Sequence, residues 1–456
     1  MKLLRLQPVF LFAVLACATS ACQKNNSKEL GEEVTPPVKE TVQTGVQGRV
    51  LDEHEQPLAA ATVTCGGKDT TTDVNGNFLL ENVKVSQDAA IVSVTKSQHL
   101  PGIRTLVVNA NSLHYVQIML YDREAAATFN STAGGTVTVP EGELIIPANS
   151  VLLENNTPYN GIVDVNFKSI NPEGNRFSDL MAGDLRGISQ AKTEQGLQSY
   201  AMMVFELSGQ NGEKLHLNEA VFVKIAIPGS LQGSAPAQIP LWYFDTASGY
   251  WAENGIATRE GNFYRAPLKN TGFWHCAVPY ALVSLQTKVV DLSNNVVPNL
   301  QVTILRKLDF IPVFSYTDAS GKFIGKVPAN AQLIITCTNP CKNLFFYQEI
   351  GPFTGASTIN NLSVKLPANN TLAIDGTASN CNNQPVAKGI VSISVDGLQY
   401  ATTIENGHFK MMLLRCNDSP ANITFTAKDA ATNISTITTI NANNGSITPG
   451  LVVCTP

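Results

Sequence analysis

The sequence predicts an all-β protein made of tandem antiparallel β-sandwich domains, and three observations carry that prediction. Short segments alternate β-branched and polar residues, as in ATVTC (61–65), AIVSVT (90–95), GIVDVNF (161–167), VFVKIAI (221–227) and IVSISV (390–395). Gly, Asn, Asp or Pro turns separate these segments, so successive strands return beside one another. One ordered set of turns and strands also recurs along the chain. Composition agrees: 44% of the 456 residues are hydrophobic and only 15% are charged, which suits stacked sheets better than helical bundles. No stretch carries a helical stripe, although 184–196 is polar enough for one short turn of helix.

The N-terminus comes first. Lys2 and Arg5 precede an apolar run from Val9 to Ala16, then Thr19, Ser20 and Ala21 lead into Cys22. That run is far short of the ~20 residues that span a bilayer, so it reads as an export signal and not a permanent helix. A cysteine at this junction resembles the lipobox of bacterial lipoproteins. The resemblance implies a signal peptide over 1–21, acylation of Cys22, and attachment to a membrane through that lipid. Cys17, behind Val14-Leu15-Ala16, is the competing position. The polar Gln23 after Cys22 fits an outer-membrane location, on either the cell-surface or the periplasmic side. Residues 22–43 hold little apolar surface and include Pro36-Pro37, Glu29, Glu32 and Glu33, the composition of a flexible tether.

From Gly45 the repeat begins. Val50-Leu51-Asp52, Gln56-Pro57-Leu58, Ala61-Thr62-Val63 and Thr72-Asp73-Val74-Asn75-Gly76-Asn77-Phe78 form one unit. The same order returns in Val290-Asp291, Val297-Pro298-Asn299, Gln301-Val302 and Thr317-Asp318-Ala319-Ser320-Gly321-Lys322-Phe323. A looser copy runs through Cys381, Gln384-Pro385-Val386, Ile390-Val391 and Gly407-His408-Phe409. In each copy a glycine provides the positive φ of a tight turn, and Phe78, Phe323 or Phe409 follows as an inward residue. The first unit resembles the carboxypeptidase regulatory-like domain, a transthyretin-like β-sandwich with no catalytic residues of its own. Between the copies, Gly134-Gly135-Thr136-Val137 and Leu144-Ile145-Ile146-Pro147-Ala148-Asn149-Ser150 resemble the opening of the β-sandwich shared by ankyrins and netrin receptors, an interaction module. The expected domains are therefore 44–121 (regulatory-like), 122–282 (central), 283–366 (second regulatory-like) and 367–456 (divergent C-terminal), following one another in series.

Charge and cysteines narrow the function. The net charge of −5 gives no electrostatic gain from nucleic acid, so none is expected as a partner. Past Cys22 the cysteines are Cys65, Cys276, Cys337, Cys341, Cys381, Cys416 and Cys454, an odd number. Exported context favours disulfides over zinc: Cys337 with Cys341 across CTNPC, and Cys381 with Cys416.

Chemistry-bearing motifs are few. No metalloprotease helix motif, nucleophile elbow or phosphate loop is present, and no metal or cofactor is expected. His275 and Cys276 are adjacent, but strand geometry points them to opposite faces. Asp73-Val74-Asn75-Gly76 and Asp318-Ala319-Ser320-Gly321 read as turn formers more readily than calcium ligands. Trp242 and Trp251, bracketing a hairpin near Ser248-Gly249, are candidate ligand-stacking aromatics for a glycan, against the commoner reading that such rings form core. The expectation is a non-enzymatic cell-envelope lipoprotein acting in adhesion, docking or scaffolding, whose partner is an envelope protein, matrix or glycan. The alternative is a carbohydrate- or peptide-binding accessory of an outer-membrane uptake system; a third reading is a hydrolase with a non-motif active site in the central domain. A Cys22→Ser variant is expected to lose incorporation of labelled fatty acid, and retained label would place the lipid elsewhere.

Overall fold

A computed structural model describes residues 40–140 and 142–454. The signal segment, Cys17, Cys22 and most of the segment read as a tether lie outside the described residues. The first strand already begins at Thr41, inside the segment read as tether, because Thr41–Thr44 pair with Val83–Ser86.

The protein is all-β and its sheets form tandem sandwiches. In the first, β1 (Thr41–Asp52), β2 (Thr62–Cys65), β3 (Lys68–Thr71), β4 (Asn77–Ser86), β5 (Ala90–Thr95), β6 (Gly102–Leu106) and β7 (Leu113–Leu120) make two sheets, ordered β4-β1-β7 and β3-β2-β5-β6. β1 runs parallel to β7 and antiparallel to β4. Val46, Val50, Val63, Phe78, Val92, Val94, Val116 and Ile118 fill the space between them.

The third sandwich repeats this topology strand for strand. Leu282–Asp291 lies between Lys322–Pro328 and the parallel strand Ser357–Val364. The facing sheet follows the order Pro312–Tyr316, Gln301–Arg306, Leu333–Thr338, Leu344–Ile350. The fourth keeps the plan: Thr371–Asn380 pairs antiparallel with His408–Leu414 and parallel with Gly445–Ile447 and Gly450–Val453. There a single pairing of Glu405 with His408 joins the two sheets at one corner.

Local hydrogen bonds explain the repeat. The Asp52 carboxylate accepts the backbone N–H groups of His54 and Gln56 at 2.9 and 2.8 Å. Asp291 does the same for Ser293 and Asn295 at 2.8 Å each, and the Asn380 side-chain oxygen for Asn382 and Gln384 at 2.9 and 3.0 Å. At the second turn, Asp73 accepts from Asn75 and Asn77, and Asp318 from Ser320 and Lys322. These acids are occupied as turn formers. Gly76, Gly321 and Gly407 have φ of 77°, 75° and 78°. A Cβ at Gly76 would collide with the Val50 carbonyl and one at Gly321 with that of Val289, so only glycine fits.

The central domain differs. Its strands, from Ala125–Asn130 to Gly272–Tyr280, join into one continuous sheet built around the long strand Glu194–Gly209. One side of that sheet packs Leu241, Trp274 and Cys276 into the domain's own core. The opposite side packs Trp242, Phe244, Trp251 and Phe273 against Leu100 and Ile103 of the first sandwich. The helical turn falls at Phe177–Leu180. Residues 184–196 instead form a hairpin, with Arg186–Ile188 pairing to Glu194–Gly196.

The disulfide pairing expected from sequence is corrected. Cys341 bonds to Cys416, joining the third and fourth sandwiches with Cα atoms 5.7 Å apart, and Cys381 bonds to Cys454 within the fourth at 5.2 Å. Cys337 is a free, buried thiol, as are Cys65 and Cys276. It sits on the strand Leu333–Thr338 and points into the third core. Cys341 lies past the strand end in the loop leading to Leu344–Ile350, facing the neighbouring sandwich. Peptide mapping under non-reducing conditions is expected to recover Cys341–Cys416 and Cys381–Cys454, with Cys337 alkylated only after unfolding.

Candidate functional site

The first sandwich is the hub to which the others attach. Along β1, Val46 and Val50 face its own core, so Gln47 and Arg49 project from the outer face. Tyr115 and Gln117 project likewise from the adjacent β7. Gln47 is only 2% exposed. Its Oε1 accepts the backbone N–H of Ala401 in the fourth sandwich at 2.6 Å, and its Nε2 donates to Asn299 Oδ1 of the third at 3.2 Å. Asn109 and Ser112 donate to the Asp318 carboxylate at 3.0 and 2.8 Å. Asn77 Oδ1 accepts from the backbone N–H of Gln399 at 3.2 Å.

The central domain holds the hub from the other side. Gly183 N–H donates to the Ile103 carbonyl at 2.9 Å, and the Thr105 hydroxyl to the Gly249 carbonyl at 2.7 Å. Lys168 pairs with Glu53 at 2.8 Å. The domains thus follow one another in the chain without being strung out as separate beads.

Where the sandwiches meet, a cleft of about 480 Å³ remains. Tyr115 of the first, Tyr316 of the third and Tyr400 of the fourth come together in it. The Tyr115 ring lies 5.0 Å from Tyr316 and 5.4 Å from Tyr400. Burial raises the pKa of all three phenols, with nearby Arg49 pulling against it at Tyr115 and Tyr400. The Cys341–Cys416 disulfide forms part of the wall, with Arg49, Arg176, Lys342 and Arg415. Three of those cations are paired. Arg176 Nε meets Glu55 at 2.7 Å, Lys342 meets Asp179 at 3.3 Å, and Arg415 Nε meets Asp396 at 2.7 Å. Arg49 donates its Nε to the Asn75 carbonyl at 2.9 Å. Among the described residues its outer nitrogens have no carboxylate.

The aromatics singled out as candidate glycan platforms are not available, which corrects that reading. Trp242 and Trp251 are 0% exposed. Their indole N–H groups are used internally, on the Ala277 carbonyl at 3.0 Å and the Asp184 carbonyl at 2.9 Å. Because the first sandwich covers the outer face of the central sheet, both of its faces are core.

His275 is fully buried, its ring 4.9 Å from that of Trp251, and Cys276 points to the opposite face. Its Nε2 lies 2.6 Å from Ser199 Oγ, a nucleophile–base distance. The other ring nitrogen, Nδ1, has no hydrogen-bond partner among the described residues, so no described carboxylate orients the imidazole as the acid of a triad does. Burial pushes the His275 pKa down to about 3, far below what a general base at neutral pH needs. The same desolvation raises the Cys276 thiol to about 12.

Glu53, His54 and Asp122 place oxygen and nitrogen atoms within 4.8 Å of one another. Lys168 occupies the Glu53 carboxylate, and His99 lies 3.1 Å from that of Asp122. The group is an ion-paired brace at the border of the first and central domains.

No motif announced the cleft. The available signal was Tyr115, a large aromatic on the polar phase of an alternating strand.

The chain is thus an all-β protein of tandem sandwich domains, and the comparisons add the following. No family model matches it. Cartilage intermediate layer protein 2 of Mus musculus is 25% identical over 232 residues, covering 48% of this chain and 20% of that protein. The chain therefore spans about a fifth of the length of that curated relative. Among solved structures, the shaft pilin SpaA of Lactobacillus rhamnosus GG aligns with a TM-score of 0.18 at 10% identity, over 38% of this chain and 98% of the pilin. The Bacillus anthracis TIE protein aligns at 0.18 and 11%, over 91% of this chain and 68% of that one. The major pilin subunit BcpA of Bacillus cereus gives 0.14 and 10%, over 90% and 99%. At such scores the fold rests on the strand pairing alone.

The buried His275 sets an acid sensitivity. Its folded pKa of about 3 lies below the ordinary 6.5, so the unfolded chain binds the proton first. Stability present above about pH 6.5 is therefore expected to fall as pH drops toward 3. Denaturant titrations at several pH values should show a shallower decline for His275→Gln.

Proposed function

We propose that this chain is a lipid-anchored, non-enzymatic protein of the bacterial cell envelope. It acts as a docking, adhesion or scaffold body, attached through Cys22 to the outer membrane and displaying its sandwiches to an envelope protein, matrix or glycan. In this reading the first and third sandwiches are regulatory-like modules and the central domain is an ankyrin/netrin-receptor-type interaction module. The observation that carries it is the way one sandwich is gripped by the other three domains through hydrogen bonds. Gln47 accepts the Ala401 N–H of the fourth, Thr105 donates to the Gly249 carbonyl of the central domain, and Asn109 and Ser112 donate to Asp318 of the third. Such an assembly presents loops and sheet edges in fixed relation, the property a docking body needs. The unoriented, neutral His275 beside Ser199 is a poor start for a hydrolase.

A second reading, a binding accessory of an uptake system, is favoured by the tyrosine-lined cleft.

Protease shaving of intact cells, combined with crosslinking and pull-down, tests the proposal. Release of the folded body together with a crosslinked envelope partner is expected. Recovery of the protein from culture fluid with an unacylated Cys22 would overturn it, as would turnover of a hydrolase substrate abolished by Ser199→Ala.

A further inference from the structure

We propose that the cleft between the first, third and fourth sandwiches binds a small acidic saccharide, its carboxylate held by Arg49 and its hydroxyls by Tyr115, Tyr316, Tyr400 and Gln301. Unmet hydrogen-bonding capacity is the first argument. Tyr115 and Tyr400 are 6% and 5% exposed, yet among the described residues none of the three tyrosine hydroxyls hydrogen-bonds to another protein group. The Gln301 oxygen accepts from Lys342 at 2.9 Å and from Thr338 at 3.3 Å, leaving its amide N–H groups without a protein acceptor. In the same lining, Asn299 Nδ2 is buried with no hydrogen-bond partner among the described residues. Of these groups Asn299 Nδ2 is the one withdrawn from water, where a donor is normally matched. The tyrosine hydroxyls and the Gln301 amide open on the water of the cleft, which a ligand's oxygens replace.

Charge is the second argument. Glu55, Asp179 and Asp396 are each engaged by a cation at 2.7 to 3.3 Å. Among the described residues Arg49 is the cation of the cleft wall without a carboxylate partner. One free guanidinium fork matches one carboxylate, whereas a phosphate would draw on several cations. The unmatched groups are N–H donors and hydroxyls, which suits a ligand rich in hydroxyl and carboxylate oxygens. An extended peptide would bring backbone N–H groups that need acceptors, and the cleft's carboxylates are already engaged.

Size and rigidity agree. About 480 Å³ falls in the range of small-molecule sites and accommodates one or two sugar rings. Walls from three sandwiches, two of them tied by Cys341–Cys416, hold the tyrosines in place before a ligand arrives. This inference goes beyond the docking function proposed above, and neither stands on the other.

Titration calorimetry with the mature full-length chain tests it. Digalacturonate is the probe, with the neutral galactobiose, inorganic phosphate and a glutamate-rich hexapeptide as competitors. Digalacturonate should bind and the neutral disaccharide should bind at least about tenfold more weakly, the loss of one charge-assisted contact. Arg49→Gln should weaken digalacturonate by a similar factor. Tyr316→Phe, which removes only a hydroxyl, should weaken it several-fold and keeps the test open where Arg49→Gln disturbs folding. Absence of digalacturonate binding, equal binding by both variants, or preferential binding of phosphate or peptide would overturn the assignment. Envelope attachment and crosslinking of Tyr316→Phe, which loses only a hydroxyl, should match the wild type, so the site and the docking function fail separately.

Discussion

Everything in this molecule depends on the outer face of one small sheet, the β4-β1-β7 face of the first sandwich. Strand alternation gives β1 and β7 an apolar side, which closes that sandwich's own core, and a polar side carrying Gln47, Arg49, Tyr115 and Gln117. On an isolated domain the polar side would face water. Here it is covered, and its buried groups find partners on other domains. Gln47 accepts the Ala401 N–H, and Gln117 donates to Asp179 at 2.9 Å. Removing the Gln47 side chain would leave the buried Ala401 N–H unmatched, a penalty of about 1–3 kcal/mol.

The hub explains the placement of the disulfides and the large aromatics. With the third and fourth sandwiches both resting on the first, their loops approach closely enough for Cys341 and Cys416 to bond across the seam. The crosslink closes a long loop and restricts the unfolded chain accordingly. On the opposite flank, β6 is sealed by the central domain, with Ile103 and Arg104 buried. That contact turns the outer face of the central sheet into a second core, so Trp242 and Trp251 become packing residues. Their indoles hydrogen-bond inward because no water reaches them.

The cleft is the remainder of this packing. Three convex sandwiches cannot close completely on a shared sheet face, and the gap between them is lined by polar and apolar residues of all three, with Arg176 of the central domain at its wall. Tyr115, Tyr316 and Tyr400 partly fill it. Arg49 is held by its inner nitrogen to the Asn75 carbonyl, which leaves the outer end of its guanidinium toward the gap.

Local pattern decided the elements. Period-two alternation placed the strands, and the acids Asp52, Asp73, Asp291 and Asp318 with the glycines Gly76 and Gly321 specified the turns, because those effects act within a few residues. The inward Phe78, Phe323 and Phe409 follow from the same short-range logic, as does the separation of His275 from Cys276. Only the tertiary structure decided which domain faces touch. It selected Cys341–Cys416 over Cys337–Cys341, buried Trp242 and Trp251, and gathered three tyrosines more than 80 residues apart in sequence. The physical reason is that an alternating strand records which side chains share a face but carries no mark of whether water or another sheet will cover it.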